Sequence, residues 1–346
     1  MIKCPHTLSD LDKMAVVYYN TVSARLDIQA KLLGCPSVEL QPVMQYLSNN
    51  LQAIMTERPD RLERRIVDIQ RLLEAAKTRH YIANPGIGVK KGKNLTPKQI
   101  DTRLKKWAHD AISVAFNYNK GNQSFIEIDD RQVAYQHALT LNINTCPYCN
   151  ENFTNTIYRG KVKTRPQFDH FMDKGRHPYF ALSFFNLVPC CSFFNSGALK
   201  GSKPFLISTH LHPFIDDIDG LYKFSTDIKS VDYLLGKRGF NLTLKPCKGA
   251  SNKKRAKKNI GVFGIEERYQ CHIELAGEII AKAHIYTKES LEGIFMSFNI
   301  GGKSIFSSTS EVKELVMGNY LHPDKLHKRV LSKLTRDIAE EVWSSL

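Results

Sequence analysis

The sequence predicts an α+β chain in three stretches: a helical N-terminal region over 1–142, a small central unit over 143–206, and a mixed α/β region over 207–346. Three observations predict it. Apolar residues step by four and three through Leu62, Ile66, Ile69, Leu73 and Ala76, the spacing of one helix face. From 145 to about 205 that spacing disappears, and Cys, His, Asn, Pro and aromatic residues crowd together. Beyond it, Phe240, Leu242 and Leu244 alternate with polar residues, as a strand does.

The elements follow in order. The helix through 62–76 carries Arg61, Arg64, Arg65, Arg71, Lys77 and Arg79 on its other faces, and Asn84, Pro85, Gly86 and Gly88 end it. The stretch 89–97 is polar and basic and reads as a loop. A helix over 97–116 is expected, with Thr96 as N-cap and Pro97 at its first position. A shorter helix is expected over 130–141. A helix is also expected after Pro189, and further helices over 265–286 and 323–345. In the last of these Leu326, Val330, Leu334, Ile338 and Val342 step by four.

Composition narrows the function. The 346 residues hold 49 Lys and Arg against 34 Asp and Glu, a formal charge of +15. Apolar and charged fractions of 42% and 24% exclude a disordered chain, a collagen and a disulfide-dense mini-protein. A basic chain of this size points first to nucleic acid and second to an anionic membrane. The opening residues lack the charged and apolar regions of a secretory signal, and no run approaches 18 apolar residues. The expectation is a reducing compartment, the cytoplasm, where the eight cysteines are thiols or metal ligands.

The chemistry concentrates in the centre. Cys146-Pro-Tyr-Cys149 is followed by Phe168-Asp169-His170, by Asn186-Leu-Val-Pro-Cys190-Cys191-Ser-Phe-Phe194-Asn195, and by Lys200-Gly201. Metal-assisted phosphodiester hydrolysis accounts for these residue types. An imidazole titrating near neutrality suits a general base. A hard divalent cation that neutralises phosphate charge takes oxygen ligands such as carboxylate or Asn carbonyl. On an extended segment Asp169 and His170 point to opposite sides, so they serve one site only at a strand end or bend. The helix after Pro189 would bring Asn195 back towards them.

This order and spacing resembles the HNH endonuclease family, and within it the PtuB-type nucleases of Septu and retron anti-phage systems. The resemblance covers about a sixth of the chain and implies a ββα-metal core: a two-stranded hairpin and a helix gripping Mg²⁺ or Mn²⁺. It implies that His170 is the general base and that Asp169 and Asn195 bind the catalytic ion. Asn186 would orient the loop carrying the base, and Lys200 would reach the scissile phosphate. The partners implied are nucleic acid (DNA or RNA), an ATPase subunit and, in retron systems, a reverse-transcriptase/DNA assembly.

One position departs from the family. Two Cys-x-x-Cys knuckles often hold a structural zinc, but the second reads Cys191-Ser-Phe-Phe194. Cys146, Cys149 and Cys191 then form a three-thiol set for Zn²⁺ whose fourth ligand is missing. Three outcomes stay open, zinc lost, three-coordinate or completed by a distant residue, and the missing ligand weighs towards thiols that pack as small hydrophobes.

Other features have blander readings. His177 is expected to be packed or solvated, and His210 and His212 to be loop residues. The basic runs at 90–106 and 248–258 read as a solvated face and as a mobile loop or nucleic-acid arm. The run 159–176 brackets His170 and favours backbone phosphate contact. The function expected is a metal-dependent nuclease. The alternative is a non-catalytic nucleic-acid-binding or structural subunit with a degenerate core.

Overall fold

In the computed structural model, which describes residues 2–194, 199–228 and 239–345, the N-terminal region is helical. It comprises α1 (Leu8–Arg25), α2 (Ile28–Leu33), α3 (Gln41–Asn49), α4 (Leu51–Thr56) and α5 (Pro59–Ala83). A small hairpin, β1 (Val89–Lys90) with β2 (Lys93–Asn94), precedes α6 (Pro97–Ala115) and α7 (Gln132–Leu141). Thr96 starts α6 with a reciprocal cap: its hydroxyl accepts from Gln99 N at 3.4 Å, and Gln99 Oε1 accepts from Thr96 N at 2.9 Å. Leu62, Ile66, Ile69 and Ala76 of α5 are buried, as their spacing requires. Lys77, on the same helix, is also buried, held by Glu74 and Asp101.

The central stretch is β3 (Ile157–Arg159), β4 (Val162–Thr164), β5 (Gln167–His170) and β6 (Leu187–Cys190). The C-terminal region adds β7 (Tyr222–Thr226), β8 (Leu242–Pro246), α8 (Lys253–Phe263), α9 (Ile265–Tyr269), α10 (Ile273–Ile285) and α11 (Lys288–Ser297). It ends with β9 (Asn299–Ile300), β10 (Lys303–Ser304), α12 (Thr309–Met317) and α13 (Ser332–Trp343). Every sheet among the described residues is a two-stranded antiparallel ladder. The mixed α+β class therefore holds, with helix dominant.

Four expectations are corrected. Pro189 starts no helix: it lies in β6 opposite Phe168, where a two-stranded ladder tolerates a residue without an N–H, and 191–194 continue as coil and turn. The helix expected over 265–286 breaks into α9, a 3₁₀ turn (Gln270–His272) and α10. Gln270 there turns its amide to the backbone of Leu242 in β8, a tertiary contact that periodicity does not encode. The helix expected over 323–345 is a 3₁₀ turn (Pro323–Lys328) followed by α13, separated by Leu331 at φ 58°. The basic run at 248–258 is not a loop throughout, since its second half is the first turns of α8.

Most of the buried apolar residues form one cluster drawn from all three stretches. Its central part is aromatic, with Phe168, Phe171, Tyr179, Phe180, Phe184 and Phe185 all buried. No helix among the described residues is long and apolar enough to cross a membrane.

Candidate active site

The β5–β6 ladder pairs Asp169 with Val188 and His170 with Leu187. Both site residues sit at the end of β5 and are buried. Strand alternation sends them apart. The Asp169 carboxylate accepts from Tyr148 Oη at 2.7 Å and from Lys200 Nζ at 2.8 and 2.7 Å on its two oxygens. Lys200 also donates to the carbonyl of His170. With 2% of its surface exposed, the lysine has its charge satisfied inside the protein. It does not extend towards solvent, where a phosphate would arrive. Burial, then the Asp169 charge, pushes the Tyr148 phenol well above its usual range, so it stays a donor.

The His170 ring lies on the other side. Its Nε2 is 3.0 Å from the Ala181 carbonyl. A carbonyl only accepts, so Nε2 carries the proton and the neutral ring keeps its lone pair on Nδ1. Burial first, and the neighbouring Lys174 charge second, push the imidazole down to about 3. Tyr118 meets the ring edge-on, with centroids 4.4 Å apart.

Asn186 holds the loop between the two strands. Its Oδ1 accepts from Met172 N at 2.6 Å, and its Nδ2 donates to Met172 O at 3.0 Å and Phe180 O at 2.9 Å. The side chain thereby pins both ends of the turn that delivers Ala181 to His170. Asn195 lies outside the described residues.

The thiols of Cys146, Cys149 and Cys191 lie within 4.8 Å of one another. Tetrahedral Zn–S bonds place sulfurs about 3.8 Å apart, so the group is close to that spacing and can hold a metal ion such as zinc. The knuckle backbone is shaped for it. Asn150 takes φ 56°, its N–H donates to Cys146 O at 2.8 Å, and Glu151 N points at Cys149 Sγ at 3.3 Å. Hydrogen bonds from Cys146 and Cys149 lower the Cys191 thiol below its usual range. Phe194 is buried against Tyr148 and Phe263 instead of supplying a ligand. Cys190 is buried in β6 and outside the group.

Sequence reading missed Tyr148, Tyr118 and Ala181. Tyr148 was in view as the third residue of the knuckle; an apolar position that also carries a phenol is the signal it left. The histidines read as bland are packed: His212 Nε2 is 2.8 Å from Phe185 O, His177 Nδ1 is 2.8 Å from Tyr179 Oη, and His210 stacks on Phe205. No family model, no curated protein and no solved structure matches the chain.

Proposed function

We propose that the chain is an HNH-type nuclease whose hydrolytic centre is the β5–β6 hairpin, acting in anti-phage defence with an ATPase partner. The observation that carries this reading is the Asn186–Ala181–His170 arrangement. One buried amide fixes the loop, the loop carbonyl fixes Nε2–H, and the imidazole is left neutral with its lone pair on Nδ1. That is the preparation a general base needs, at the residues the HNH resemblance assigns. In this reading Nδ1 takes a proton from the attacking water. An anionic phosphodiester beside the ring raises its affinity for that proton.

The family's divalent ion, Mg²⁺ or Mn²⁺, is tested by the surroundings of Asp169. Lys200 and Tyr148 already occupy both carboxylate oxygens, and apart from the thiols no group of three His, Cys, Asp or Glu gathers among the described residues. The arrangement does not fit such an ion: it would bind Asp169 only in place of the Lys200 ammonium. We assign Zn²⁺ to the three thiols in a structural role.

A cleavage assay tests the reading. The chain, alone and with a co-expressed ATPase, is incubated with DNA and RNA in Mg²⁺, Mn²⁺ or chelator. Cleavage is expected, and His170→Ala is expected to lower it by about 10²–10⁴-fold with binding retained. Undiminished cleavage by folded His170→Ala protein would remove His170 from the chemistry. Binding without cleavage under every condition would favour the non-catalytic module.

A further inference from the structure

A cleft runs past Tyr118 and Ala181, two residues that touch the His170 ring, although His170 itself does not line it. One part, about 310 Å³, is lined by His109, Asn117, Tyr118, Lys120, Lys174 and Ala181 among others. A second part, about 750 Å³, lies between α5, α6 and the 173–178 turn. The two parts share His109, Asp173, Gly175 and Pro178, so they are neighbouring reaches around one turn. Along them stand Arg71, Lys77, Lys105, Lys120, Lys174 and Arg176, against the acids Glu74 and Asp173. Arg71 pairs with Asp68, Lys77 with Glu74 and Asp101, Lys105 with Asp101 and Arg176 with Asp173, which leaves Lys120 and Lys174 outside any ion pair among the described residues.

Lys174 is the informative residue. It is half-buried, and no carboxylate lies within ion-pair distance of it among the described residues. Its Nζ instead sits 4.2 Å over the Tyr118 ring, the same ring that packs edge-on to His170. A partly desolvated ammonium on an aromatic face, with the neighbouring Asp173 carboxylate beyond ion-pair distance, has room for an anion. An anion placed there lies one aromatic ring away from the imidazole. Ala181, whose carbonyl fixes that imidazole, lines the same cleft.

We propose that this cleft seats a single strand of nucleic acid, with Lys174 at the phosphate offered to His170. The proposal rests on the reading of His170 as the hydrolytic base. A single strand is favoured over a duplex by depth. His170 is 8% exposed, and the opening beside it has room for about one small ligand. An unstacked strand can enter such a space, whereas a duplex keeps its backbone on a rigid cylinder. The wider reach adds the half-buried Leu73 and Leu206, against which bases can lie while the basic residues follow the backbone.

Fluorescence anisotropy tests this, using the full chain without added Mg²⁺ or Mn²⁺, a labelled 20-nucleotide strand of DNA or RNA, and the matching duplexes. Single strands are expected to bind at least tenfold more tightly than duplex. Lys174→Glu is expected to weaken single-strand binding at least tenfold and to reduce the salt slope by about 0.7 per lost phosphate contact. Lys174→Met and Lys120→Glu provide milder variants if Lys174→Glu does not fold. Lys254→Glu, on the exposed start of α8, is the control and is expected to change little. Equal or tighter duplex binding, or equal losses in Lys174→Glu and Lys254→Glu, would overturn the proposal. Cleavage is scored separately. Lys174-dependent strand binding without cleavage upholds the cleft and sinks the hydrolytic reading, whereas cleavage indifferent to Lys174 does the reverse.

Discussion

Asp169 and Lys200 form a nearly fully buried ion pair, with side chains 6% and 2% exposed. Removing one partner of such a pair leaves a charge with neither water nor counter-ion. Lys200→Met, close in volume, should therefore destabilise the protein by about 3–5 kcal/mol. The loss should shrink at acid pH, where the stranded carboxylate takes up a proton. Urea unfolding at two pH values measures both, and a pH-independent loss below 1 kcal/mol would mean that the pair adds little. None of this was legible in the sequence. Lys200 follows Asp169 by 31 positions, and only the fold makes them neighbours. Asn186 is the opposite case: its place in the motif and its structural position suggest one role, holding the loop.

Among the elements, α5 and α6 were readable because their signals are local: a cap, a proline and an apolar stripe. The breaks at 270–272 and at Leu331 were not, because each is imposed by a distant partner. Leu331 N donates to Asn150 O at 2.6 Å, and Gln270 leaves its helix to bond β8. The knuckle was half readable. Its first two ligands are adjacent in sequence, and Cys191 joins them only because β6 returns beside β5. Purified protein is expected to contain close to one zinc per chain, and Cys146→Ser is expected to lower both zinc content and melting temperature, since structural zinc contributes folding free energy directly. Metal analysis finding no zinc in the wild type would leave three packed thiols.

The whole molecule carries an acid sensitivity. Burial lowers His137, His170 and His212 to about 3, and His177 and His210 to about 4. In the unfolded chain each titrates near 6.5. Below that value the unfolded state binds protons that the folded state refuses, so stability is full above about pH 6.5 and falls as the pH drops towards 4. Thermal melts from pH 7.5 to 4.5 should show a steady fall. A melting temperature flat across that window would mean that these rings are protonated without cost in the fold. Of the three stretches, the sequence shows their textures but not their fusion into one apolar cluster.

Asn150 also bears on when the site can exist. Its side chain donates to Leu326 O and Arg329 O and accepts from Ser332 and Lys333 N, partners 176 to 183 positions later. The knuckle beside Asp169 is thus bolted to residues translated long after it. During synthesis the ribosome must deliver most of the chain before the knuckle can close, and a nascent fragment that already holds His170 still lacks its support. The knuckle's support is complete only when nearly the whole chain has emerged.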